Sequence, residues 1–126
     1  MTAEELRAYL TRAIAIVRIA RNKLYKIANA TPKEDANYLA ANVAYITASN
    51  VAGILGFIRD KLTDETDAKK TCAIIHQHLE LVGALIFDIW QSSSIADSKE
   101  IYLGVTVHVL YIIMAEIAGE FREKDD

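Results

Sequence analysis

The sequence predicts an all-α fold: four long helices in an up-down-up-down bundle, a single domain over residues 1–126. Three observations carry this. One proline and five glycines leave little material for hairpin turns. Apolar residues recur at alternating spacings of three and four over long stretches, the pattern of helices that bury one stripe. Apolar residues make up 52% of the chain and charged residues 25%, enough for a core under a solvated surface.

The first helix is expected from about Ala3 to Ala28. Thr2, with Glu5 three residues on, is a capping box. Leu6, Leu10, Ala13, Val17, Ala20, Leu24 and Ala28 make its seam. Asn29-Ala30-Thr31-Pro32 breaks it. Thr31 before Pro32 reads as a cap with proline at the first helical position, so the second helix is expected to start there and reach about Leu62. Thr63 and Asp64 break the chain again. The third helix is expected from Glu65 to Trp90, with Ala68, Cys72, Ile75, Leu79, Val82, Ile86 and Ile89 inward. Gln91-Ser92-Ser93-Ser94 ends it. Asp97 or Ser98 opens the fourth, whose seam is Leu103, Val107, Leu110, Met114, Ile117 and Phe121, fading into a frayed tail at Arg122–Asp126. Each helix is roughly 40 Å long at 1.5 Å per residue. Connections this short favour antiparallel neighbours.

The second helix is unlike the others. Ala36 to Ile58 is a run of 23 residues with no charged side chain. It is too apolar for an ordinary surface helix. With Asn37, Asn42 and Asn50 it is too polar for a good membrane span, since each amide would need a partner in lipid. It reads as a helix covered on most sides by protein. Leu39, Val43, Ile46, Ile54 and Phe57 are expected on its core side. Tyr38, Asn42, Tyr45, Ser49, Gly53 and Gly56 are expected opposite them, an uncharged shallow face that lets another backbone approach. These six residues are the expected partner interface.

Enzymatic chemistry has little to rest on. No phosphate-binding loop, dinucleotide fingerprint or serine elbow occurs. Cys72 lies in an apolar seam, where an inert buried thiol is the expected state, and as the single cysteine it can form no internal disulfide. His76, Glu80 and His108 could hold a metal in a bundle. A di-iron site, however, needs Glu-x-x-His on two helices, and the chain has none. Asp88 and Glu116 could form an acid pair, but solvated positions explain them as well. The expectation is a non-enzyme with no cofactor, metal or small-molecule substrate. The N-terminus, opening with Glu4 and Glu5, has no signal-peptide pattern, so a cytoplasmic location outside the membrane is expected.

Charge is unevenly spread. Residues 1–29 carry Arg7, Arg12, Arg18, Arg21, Lys23 and Lys26 against Glu4 and Glu5, a net +4 within a chain of −3, which leaves −7 for the rest. These six side chains cover most of the outer half of the first helix. One reading is a solvated face whose long stems cover the core edge. The other is a surface that tracks nucleic-acid phosphates, with arginine suited to bidentate contact and Tyr25 able to stack on a base. Lys69 and Lys70 could extend it.

The order of these features resembles the small all-helical subunit of the type III-B CRISPR effector, the Cmr complex. That family opens with an arginine-rich helix. Its second helix carries an Asn-Gly-Leu-like stretch and a Leu-x-Phe-Leu-x-x-Lys-like end. Here Ser49-Asn50-Val51-Ala52 and Leu55-Gly56-Phe57-Ile58-Arg59-Asp60-Lys61 occupy those places. A Tyr-Leu-x-x-Thr helix near the family's C-terminus is matched by Tyr102-Leu103-Gly104-Val105-Thr106, with Phe121-Arg122-Glu123 beyond. Val51 stands where the family has glycine. Ile113, Met114 and Glu116 stand where it has a tryptophan and a basic pair, so the fourth helix lacks the basic groups of that contact. The resemblance implies a non-catalytic subunit that stacks beside its neighbours and touches the guide–target RNA backbone, with Arg12, Arg18 and Arg21 carrying over best. The rival expectation is a self-assembling coat or filament protein, for example of an archaeal virus. Both need protein partners, self-association among them; the first adds RNA.

Overall fold

The computed structural model describes residues 1–92 and 98–125, with side-chain surroundings for 1–92 and 105–122. It contains four helices and, among the described residues, no strand: α1 (Ala3–Ala30), α2 (Tyr38–Lys61), α3 (Ala68–Ser92) and α4 (Ser98–Asp125). They form the expected up-down-up-down bundle. α1 packs mainly on α2 and α3 mainly on α4; the α2–α3 contact is the sparsest between neighbours. The architecture is therefore two close hairpins joined around one core.

α1 begins as its sequence requires. Thr2 Oγ1 accepts the Glu5 backbone N–H at 3.1 Å, and Glu5 Oε1 accepts the Thr2 N–H at 3.4 Å. The box satisfies N–H groups that a helix start leaves without partners. All seven seam residues of α1 are buried. So are Cys72, Ile75, Leu79 and Ile86 of α3, and Val107, Leu110, Met114, Ile117 and Phe121 of α4. Val82 and Ile89 are half-buried at the edge of this core. Tyr9 meets Phe121 edge-to-face with ring centroids 4.8 Å apart, tying α1 to α4. Leu103 of the α4 seam, the 93–97 connection with Asp97, and the side chains of the expected tail at 123–126 lie outside the described residues.

Three boundaries differ from the sequence reading: α4 stays helical to Asp125, through the stretch expected to fray, and two helices start later than expected. α2 starts at Tyr38, not at Pro32. The Thr31 hydroxyl is spent on closing α1, donating to the Ile27 carbonyl at 2.6 Å, and Thr31 is extended, as a residue before proline tends to be. Pro32 then opens a turn in which the Asp35 N–H reaches the Pro32 carbonyl at 3.0 Å. Asp35 Oδ1 accepts the Asn37 N–H at 2.8 Å before the helix restarts. Likewise α3 starts at Ala68, not Glu65, because Asp67 is its cap: Asp67 Oδ1 accepts the Lys70 N–H at 3.1 Å. Thr63 and Thr66 bond each other in the turn before it.

The largest correction concerns α2. Its inner face is Ala41, Ala44, Thr47, Ala48, Val51, Ala52 and Leu55, all buried. The residues expected on the core side point outward: Leu39 is 71% exposed, Phe57 65%, Ile46 53% and Ile54 39%. Val43 is half-buried. Alanines spaced by three and four let the α2 backbone lie close to α1, so the small stripe takes the core and the large one is turned out. With no charge between 36 and 58, nothing in the pattern marked which stripe was outside.

Candidate assembly interface and basic surface

The inversion of α2 redraws the expected interface. Of its six residues only Gly53 is fully exposed. Tyr45 packs against the core and its ring lies 5.3 Å from that of Tyr25 on α1. Gly56 faces α1: a Cβ built there would sit 4.0 Å from Ile14 Cδ1. The Asn42 amide donates to the Tyr38 carbonyl at 2.8 Å, within the helix. Tyr38 is half-buried, and Ser49 Oγ is buried without a hydrogen-bond partner. Tyr38, Asn42, Tyr45, Ser49 and Gly56 thus run along the flank of α2 next to α1. The outermost surface is instead Leu39, Ile46, Ile54 and Phe57, with a depression of about 410 Å³ walled by Ser49, Asn50, Gly53, Ile54 and Phe57.

The basic residues of α1 divide into two groups. Arg7 Nη2 donates to the Leu62 carbonyl at 3.0 Å, capping the end of α2 from 55 residues away. Arg12 lies over the Tyr9 ring at 5.6 Å, beside a groove that Glu116 and Glu120 also line. Arg21 donates to Asn22 Oδ1 at 3.1 Å. Arg18, Lys23 and Lys26 are exposed. Among the described residues none of the six basic groups has a carboxylate within 4.0 Å. Ile16 and Ile19, which the charge pattern hid, are also exposed on this helix. Burial pushes the Tyr9 phenol well above its ordinary range, and its hydrogen bond to Glu120 adds to the shift, so Tyr9 stays neutral.

The histidines and acids do not converge. His76 Nδ1 meets the Ala118 carbonyl at 2.8 Å and Nε2 meets Glu80 Oε1 at 3.3 Å, linking α3 to α4. His108 lies instead against Trp90, with ring centroids 4.4 Å apart. Among the described residues no three His, Cys, Asp or Glu side chains gather into a metal-binding set. Asp88 and Glu116 line different grooves, α3/α4 and α1/α4, and so form no pair. Cys72 is buried, with Sγ 3.6 Å from Met1 Sδ. The α3/α4 groove, about 680 Å³, is lined by Gly83, Ala84 and Gly119 together with Glu80, Asp88 and Arg122. Lys69 and Lys70 are exposed at the start of α3.

α2 and α3 are each long and apolar enough to cross a membrane, with a third of each apolar window buried within the bundle. No family model, curated protein or solved structure matches the chain.

Proposed function

We propose that this chain is a non-catalytic, cytoplasmic structural subunit of a larger assembly, and that the outer face of α2 is its protein contact. One observation carries the reading: four large apolar side chains stand exposed on a helix without a charge from Ala36 to Ile58. Single exposed apolar residues are ordinary; a row of them with no charge between is a contact surface. Co-expression with the products of the neighbouring genes tests it. The wild type is expected to elute within a larger species. The Leu39→Lys/Phe57→Lys double variant should elute alone with unchanged helicity. Co-elution indifferent to both changes contradicts the reading.

A second, more specific reading keeps this face and adds RNA: the small subunit of an RNA-guided effector. Exposed Arg18, Lys23 and Lys26, beside half-exposed Tyr25, favour it. Arg7 and Arg12 contribute less, because each already faces a partner within the bundle. Filter binding to RNA should be weak, steep in salt and nearly blind to sequence. Charge reversal at Arg18 and Lys23 should abolish most of it, and binding indifferent to salt and to these changes contradicts it.

A further inference from the structure

We infer that the occupant of the α2 face is a second copy of this chain, lying antiparallel across a two-fold axis that crosses the outer face between Ile46 and Asn50, level with the buried Ala48; this rests on the assembly reading above. Three observations support it.

The face is self-complementary. It carries a ridge and a dent on one helix: Ile46 projects on one side of the midpoint, and the depression at Ser49, Asn50 and Gly53 lies on the other. A Cβ built at Gly53 meets nothing within 4 Å, so the dent is open. A two-fold between Ile46 and Asn50 sets Ile46 of each copy over the dent of the other. The same operation sets Leu39 against Phe57 of the partner copy. Two-fold interfaces require that one patch match itself in this way.

Charge at the two ends of the face is complementary. Lys33, Glu34 and Asp35 leave the start of α2 at −1; Arg59, Asp60 and Lys61 leave its end at +1. Arg59 already pairs with Asp60 at 3.2 Å, and Lys61 lies over the Phe57 ring at 5.5 Å. Antiparallel pairing brings the acidic end of each copy to the basic end of the other, near Lys61. Parallel pairing would set like on like.

The area suffices once α3 is included. His76, Phe87 and Trp90 mark the side of α3 turned to α4. By helical spacing Ile74, Leu81 and Leu85 lie on its side away from α4, and are 56%, 74% and 47% exposed. Together with Leu39, Ile46, Ile54 and Phe57 they present on the order of 700 Å² of apolar surface, close to one partner's share of a standard interface. The α1/α4 side also exposes Ile16, Ile19, Val105 and Val109, but Arg12, Lys23, Glu116 and Glu120 are mixed among them. It lacks the uncharged stretch that self-pairing uses.

Cross-linking with a short bismaleimide tests the register, with buried Cys72 left in place as an internal control. A mixture of Leu39→Cys and Phe57→Cys chains should cross-link about tenfold more than either chain alone. Lys61→Glu should weaken self-association about three- to tenfold, and adding Glu34→Lys to the same chain should restore it. Leu39→Cys chains that cross-link among themselves, or a wild-type chain that sediments as a monomer at every concentration reached, would overturn the antiparallel pair. The monomer result leaves the broader assembly reading to its own co-expression test. Mass that rises only in detergent or lipid vesicles would also overturn it, with lipid as the occupant.

Discussion

α1 and α2 lie side by side in one hairpin and divide large and small residues in opposite ways. α1 buries Leu6, Leu10, Ile14, Val17 and Leu24 and turns most of its charge outward. α2 buries alanines and turns Leu39, Ile46 and Phe57 outward. The first arrangement is what a solvated bundle needs, and the fold explains it except at the exposed Ile16 and Ile19. The second is poorly explained by the fold. A monomer would gain solubility and lose nothing by carrying lysine or glutamate at positions 39, 46 and 57. The contrast separates residues that hold the bundle from residues that need a partner.

The contrast breaks most sharply at the core. Leu10→Ala is expected to cost about 3–4 kcal/mol by urea unfolding, because a fully buried side chain leaves a cavity between packed helices. Leu39→Ala should cost the monomer less than about 0.5 kcal/mol, measured at a concentration too low for self-association. Next is the inner face of α2. Ala48→Leu should destabilise by about 1–3 kcal/mol, since a larger side chain drives α2 away from α1. A neutral Ala48→Leu would show that α2 is not seated by its alanines. Smaller still is the start of α1: Thr2→Ala should cost about 1 kcal/mol, by removing the acceptor of the Glu5 N–H. The smallest folding effect belongs to Arg18→Glu, expected within about 0.5 kcal/mol of wild type in unfolding, while its RNA binding falls.

Much of the bundle was legible because its signals were redundant. In α1 the apolar seam and most of the charged residues opposite it give the same answer, and Thr2 with Glu5 marks a start. α2 offered two apolar stripes and no charge to rank them. Size, not polarity, decided the matter: the stripe rich in alanine lets α2 lie close to α1. The turn at 31–37 misled for a related reason. Thr31 before Pro32 fits a helix start, but a hydroxyl can serve only one neighbour well, and here it serves Ile27. The candidate surfaces were legible in part. The six basic residues of α1 stand out in sequence, but their unequal freedom does not. What sets Arg7 and Arg12 apart is Leu62 in one case and the α1/α4 groove in the other, both far along the chain.

The most direct measurement pairs sedimentation equilibrium with urea unfolding for the wild type and the Leu39→Lys/Phe57→Lys double variant. The wild-type mass should rise with concentration from 14.0 kDa toward twice that value. The double variant should stay at 14.0 kDa, with an unfolding free energy within about 0.5 kcal/mol of the wild-type monomer. Equal masses for the two proteins at every concentration would contradict the account. So would a loss of several kcal/mol in the double variant, which would place Leu39 and Phe57 in the fold instead of on its contact face.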